Sequence, residues 1–140
     1  MIMMTQNNEE VLHLVIPAQA EYLSLVRLVV AAVAKEAGFT DESVADIKVA
    51  LSEASTNVVR HAYHDDARKK EVIEITCYEL RDSMVLEVID HGCGMPLPPP
   101  PSEGLGFGIM GSLMDNVDVE TGKTGTTVLL EKSLSITRRD

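Results

Sequence analysis

Apolar residues recur at two different periods along the chain, and the changes from one to the other mark its elements. Val11, Leu12, Leu14, Val15 and Ile16 make a short β-prone run that Pro17 ends. Residues 18–37 turn helical, with Tyr22, Leu25, Val26, Val29 and Val33 spaced by three and four and Gly38 as the stop. Thr40 then caps a second helix, Asp41 and Glu42 stand at the positive end of its dipole, and Val44, Ile47, Leu51, Ala54, Val58 and Ala62 form one apolar stripe. Residues 71–80 and 84–89 read as strands joined at Arg81-Asp82-Ser83. Glycine and proline fill 92–103, and a short helix is expected from Gly106 to about Met114. Residues 117–120 and 126–131 finish as strands around the turn Gly122-Lys123-Thr124-Gly125. The order β-α-α-β-β-α-β-β predicts an α+β fold: a two-layer α/β sandwich with helices on one face of a mixed, mostly antiparallel sheet. A single domain over 9–133 is expected, with flexible termini at 1–8 and 134–140.

Composition narrows the function classes. The chain has 140 residues with 12 Lys+Arg against 22 Asp+Glu, a net charge of −10. That balance disfavours a nucleic-acid partner, because phosphate contacts need basic patches. The longest apolar run, 23–34, is interrupted by Ser24 and Arg27 and is too short for a membrane span of about 20 residues. Cys77 and Cys93 form no C-x-x-C pair, so neither a disulfide scaffold nor a zinc ribbon is expected. No secretory signal pattern is visible, and a cytoplasmic protein is expected.

Four short segments carry candidate chemistry. Glu53, Asn57 and His61 are spaced by four on the second helix, and a helix advances about 100° per residue, so they form one slowly drifting row beside the apolar stripe. A carboxylate and an amide oxygen one turn apart suit a hard cation such as Mg²⁺, although a solvated helix flank has the same spacing. Asp90-His91-Gly92-Cys93-Gly94 follows a strand, where a carboxylate can accept from an exocyclic amine and glycines admit a flat ring; a hairpin turn reads the same way. Gly104 to Gly111 contains G-x-G-x-x-G at a helix start, a place that attracts phosphate. It comes too late in the chain for a Rossmann unit. Gly125-Thr126-Thr127-Val128 brings hydroxyls into a strand, where β-branched packing is the plainer account. His13 and His64 stand without partners at a convincing spacing, and His61-x-x-His64 lacks a third ligand for zinc.

In this order the four segments resemble the Bergerat-fold (GHKL) ATPases, with their E-x-x-x-N helix, D-x-G-x-G, glycine-rich lid and late G-T. Within that superfamily the chain is most similar to the anti-sigma factor serine kinases of the SpoIIAB and RsbW type, over about residues 9–133. The resemblance implies ATP and Mg²⁺ as cofactors, with Asn57 ligating the ion and Glu53 as the general base towards a serine hydroxyl. Asp90 would read the adenine amine above Gly92 and Gly94. Gly104, Gly106 and Gly108 would line the phosphates, and Thr127 or Thr126 would reach the base through water. Arg27 matches a position used in contacts with a sigma factor and with a phosphoacceptor, the anti-anti-sigma (STAS-domain) protein.

The chain departs from that pattern in two ways. Only Met95 to Glu103 separate Gly94 from Gly104, with five prolines among them, and Ser102-Glu103 stand where relatives often carry an arginine able to touch the γ-phosphate. Both bear on the rate of phosphoryl transfer, so a partner-switch module that binds nucleotide with little or no kinase activity is the alternative. The first helix is apolar around much of its circumference, with Val26, Leu28, Val29, Val30 and Val33 clustered, which points to a homodimer.

Overall fold

Five strands, β1 (Glu9–Pro17), β2 (Val72–Glu79), β3 (Ser83–Asp90), β4 (Asn116–Gly122) and β5 (Gly125–Ser133), form one sheet in the order β1-β2-β3-β5-β4. All of its neighbouring pairs are antiparallel. Three helices, α1 (Leu23–Glu36), α2 (Asp41–Asn57) and α3 (Pro101–Leu113), supply the second layer. The computed structural model describes residues 2, 9–62, 71–92 and 101–134, with backbone alone at 61–62 and 101–105. The expectations placed on Tyr63, His64, Cys93, Gly94 and residues 95–100, and on most of both termini, lie outside these residues. Among the described residues no helix is long and apolar enough to cross a membrane.

Up to Asn57 helix α2 forms as its sequence predicts, and the expected last turn with His61 and Ala62 is a π-turn instead. The Thr40 hydroxyl accepts from Ser43 N at 3.1 Å, and Val44, Ile47, Leu51, Ala54 and Val58 are all buried. Each large apolar side chain in that stripe contributes roughly 1.5–3 kcal/mol by leaving water. Helix α1 starts later than its periodicity suggests. Ala18 N still donates to Glu71 O at 3.0 Å, and Gln19 is extended, so only a 3₁₀ turn (Ala20–Tyr22) fits before Leu23. Its buried stripe is also rotated from the expected one. Leu23, Val26, Val30 and Ala34 face the core, while Tyr22 and Leu25 are exposed, because a helix apolar on most sides does not specify which side turns inward.

Helix α3 begins five residues before Gly106, where the sequence was expected to start it. Pro101 opens it, at the first helical position, where a missing N–H costs no intrahelical bond. Its C-terminal end is tied down: Lys132 Nζ donates to Leu113 O at 2.5 Å and to Asp46 Oδ2 of α2 at 3.2 Å. Ile2 is buried and its N–H bonds Asp118 Oδ2, and Leu134 N bonds Asp82 O.

Paired residues form rows across the helix-covered face of the sheet. Leu12–Cys77–Leu86–Leu130–Val117 and Leu14–Ile75–Val88–Val128–Val119 are apolar from edge to edge. The next row, at the strand ends, begins with Ile16 and Ile73 and then turns polar at Asp90, Thr126 and Thr121.

Candidate functional site

Glu53 and Asn57 lie one turn apart at the C-terminal end of α2, and the helix widens into a π-turn (Val58–Ala62) directly after Asn57. Such widenings recur at functional sites. Asn57 is 8% exposed, and its Nδ2 is buried without a hydrogen-bond partner among the described residues. A buried orphan amide costs about 1–3 kcal/mol, so the site suits an absent polar ligand. Turned about its last torsion, the same amide offers its oxygen to a hard cation. Helix α3 packs here through a glycine backbone: a β-carbon on Gly106 would lie 2.9 Å from Glu53 Oε1 and 3.9 Å from Asn57 Nδ2. The structure thus brings Glu53, Asn57 and Gly106 together.

Asp90, the last residue of β3, is 4% exposed. Its Oδ1 accepts from Gly92 N at 2.9 Å and from Thr126 N at 3.3 Å. Burial pushes its carboxyl above the usual range, and those two N–H bonds oppose the shift. Gly125 makes the arrangement possible. Its φ is +133°, and a β-carbon there would come within 2.0 Å of the Asp90 carbonyl oxygen, so this position admits only glycine. The Thr126 and Thr121 hydroxyls are 2.8 Å apart. A cleft of about 410 Å³ opens at these strand ends, lined among others by Asp90, His91, Gly125, Thr126 and Thr127. Its lining comes from β3, β4, β5 and the adjoining turns, so it adjoins the Asp90 group and not the Glu53 group.

The remaining expected residues fall in different places. Thr127 pairs with Ile89 and alternates to the sheet face opposite Asp90, so of the two threonines Thr126 is the one beside the carboxylate. Gly104 and Gly108 lie within α3, and a β-carbon at Gly108 would meet nothing within 4 Å, unlike one at Gly106. Arg27 Nη1 donates to Ser52 Oγ at 3.3 Å, which places it on α1 against the turn of α2 that carries Glu53.

Two features escaped the sequence reading. His13 is not alone: its Nε2 is 3.1 Å from Glu74 Oε2, while His91 Nε2 is 2.8 Å from Glu74 Oε1. The hydrogen bond from His91, then that from His13, holds the Glu74 carboxyl below its ordinary range. Thr121 is the other, and only the β4–β5 register reveals its place in the polar row. Cys77 is fully buried and its thiol is pushed up to about 12, which leaves it an inert core residue.

The model of the histidine kinase-like ATPase domain matches residues 16–132. The serine-protein kinase RsbW of Bacillus subtilis strain 168 is 34% identical over 151 aligned positions, covering 96% of this chain and 92% of the relative. RsbW of Bacillus cereus strain AH187 is 33% identical, covering 88% and 84%. Among solved structures, the RsbU and RsbW domains of Rv1364c from Mycobacterium tuberculosis superpose with a TM-score of 0.69 at 25% identity, over 88% of this chain and 31% of that longer one. The histidine kinase domain of Erythrobacter litoralis EL346 shares the fold, with a TM-score of 0.58 at 21% identity, over 86% of this chain and 62% of that one.

Proposed function

From the premise that the chain belongs to the histidine kinase-like ATPase family, among the relatives of the RsbW serine-protein kinases, we propose that it binds ATP with Mg²⁺ and phosphorylates a serine of an anti-anti-sigma (STAS-domain) partner. In the same reading it is a cytoplasmic anti-sigma factor that sequesters a sigma factor until that partner displaces the complex.

Each residue has a stated task. The Asp90 carboxylate accepts a hydrogen bond from the exocyclic amine of the base, and Gly92 leaves room for the ring. The backbone of Gly104, Gly106 and Gly108 follows the phosphates. Asn57 holds the cation through its amide oxygen, and bound there Mg²⁺ would neutralise charge on the phosphoryl oxygens. Glu53 takes the serine hydroxyl proton on Oε1 as the oxygen bonds to the γ-phosphorus, the bond from that phosphorus to the β–γ bridging oxygen breaks, and ADP leaves. Arg27, hydrogen-bonded to Ser52, is the residue assigned to contact with the protein partner. The exposed side of α1, with Leu25 and Leu28, is the face assigned to a second copy in a homodimer.

The observation that carries this reading is the buried Asn57 Nδ2, which has no hydrogen-bond partner among the described residues, one turn from Glu53. A second reading, a nucleotide-binding switch with little or no transfer, is favoured by the closeness of α3 to Glu53, where a β-carbon on Gly106 would lie 2.9 Å from Oε1. Incubation with γ-labelled ATP and a STAS-domain partner separates the two. Slow labelling is expected, abolished in Glu53→Ala with ATP binding nearly intact, while Asn57→Ala loses Mg²⁺-dependent binding as well. No label above the Glu53→Ala background removes the kinase and leaves the binding module.

A further inference from the structure

Lys132 on β5 ties both helices of the candidate site to the sheet. Its ammonium donates to the Leu113 carbonyl at 2.5 Å and to Asp46 Oδ2 at 3.2 Å, and only 14% of its side chain is exposed. The Leu113 carbonyl belongs to the last turn of α3, where carbonyls have no intrahelical donor and the negative end of the helix dipole lies. An ammonium has three protons and accepts nothing, so both bonds run outward from Lys132. Neither Lys132 nor its two partners has a task in the nucleotide reading above.

The packing of α2 and α3 carries that clasp to the site. Asp46 stands about two turns before Glu53 on α2, and Leu113 about two turns after Gly106 on α3. Residues two turns apart share a helix face, so the two helices run antiparallel and in step. The Lys132 clasp closes one end of their interface, and the approach of Gly106 to Glu53 lies at the other end, roughly 10 Å away. Between the ends, Ala50 and Met110 occupy the same two faces and are fully buried. Both are apolar and methionine is adaptable, so this stretch seals the interface without fixing how far α3 slides along α2. We propose that Lys132 is a positioning residue for phosphoryl transfer: by holding the end of α3 on α2, it sets where Gly106 stands against Glu53. This rests on the kinase reading above, in which Glu53 Oε1 takes the serine proton while the serine oxygen bonds to the γ-phosphorus and ADP leaves. A β-carbon on Gly106 would lie 2.9 Å from that oxygen, so a shift of α3 by about 1 Å changes the room Oε1 has. Misplacement of that size can cost about a hundredfold in rate.

The test measures single-turnover label transfer to a STAS-domain protein, and ATP affinity by calorimetry, for the wild type, Lys132→Met and Asp46→Ala, and for each substitution combined with Gly106→Ala. Methionine keeps the apolar stem of lysine and removes the ammonium. Asp46→Ala releases α2 from the clasp at a part-exposed helical position that alanine suits, and it keeps the test open should Lys132→Met not fold. Both single variants are expected to lose on the order of tenfold in transfer rate at saturating ATP, with ATP affinity within about twofold of the wild type. Neither is expected to add a further loss in the Gly106→Ala chain, because the contact through which it acts is already altered there. A merely structural role predicts losses that multiply with that of Gly106→Ala, and this outcome overturns the inference. So does an unchanged rate in folded Lys132→Met, or in Asp46→Ala where Lys132→Met does not fold. A wild type that binds ATP yet transfers no label overturns the kinase reading itself, and the inference with it.

Discussion

Asp90 shows how a single residue can work against the fold that holds it. Its carboxyl pKa is raised, chiefly by burial, so folding penalises the ionised form. The sign follows: the group costs stability at neutral pH, and that cost disappears as pH falls through the raised value. Asp90→Asn keeps an oxygen for the Gly92 and Thr126 N–H groups but carries no charge. Thermal unfolding of Asp90→Asn is expected at or above the wild-type temperature at pH 7, with the gap closing towards pH 4. ATP affinity should fall in the same variant by about 10- to 100-fold, the cost of mispairing a buried polar group. A variant less stable at pH 7 and unchanged in ATP affinity would contradict both halves. Asp90 was legible in the sequence because a strand end followed by glycines is a local signal. Thr121 was not, since only strand pairing sets it beside Thr126, and neither was the Glu74 carboxylate, which takes its two histidines from β1 and from the turn after β3.

Among the elements, α2 was read correctly because its cap, stripe and polar row all agree on one orientation. Helix α3 was placed too late because three glycines in its first eight residues argue against a helix. Packing on α2 overrides that propensity, and at Gly106 the contact depends on the missing side chain. The clash that alanine would create there is with the far end of the Glu53 side chain, which can swing aside. Gly106→Ala is therefore expected to leave stability unchanged or raise it by up to about 1 kcal/mol, the usual helix preference of alanine over glycine. Phosphoryl transfer should nevertheless drop on the order of tenfold or more, since Glu53 is moved from its place. Denaturant unfolding and label transfer on the same preparation check the two directions. Gly125 stands in contrast, because a side chain there meets backbone that cannot move.

At the scale of the whole molecule, the question is what covers α1. Val26 and Val30 are fully buried against the core, yet Leu28 is 67% and Leu25 47% exposed on the other side, with Val49 of α2 also open. The sheet lies on one side only, so a partner is the physical means of covering the other. Leu28→Glu places a charge in the middle of that face. Sedimentation at tens of micromolar is expected to show a dimer for the wild type and a monomer for Leu28→Glu. A dimer that survives the substitution moves the interface off α1.

The strand order also dictates how the protein comes into being. The chain leaves the sheet at the end of β3, forms α3, and returns as β4 two positions away, the slot between being filled only when β5 arrives. Until then β4 has no neighbour to pair with, Leu113 O lacks the Lys132 ammonium, and Asp90 lacks the Thr126 N–H. A growing chain therefore carries Glu53 and Asn57 early, but completes the cleft and fastens α3 only once its last nine-residue strand is inserted. An unfinished copy emerging from the ribosome has Glu53, Asn57, Gly106 and Asp90 but lacks Gly125 and Thr126, so the proposed nucleotide cleft is completed in one late step.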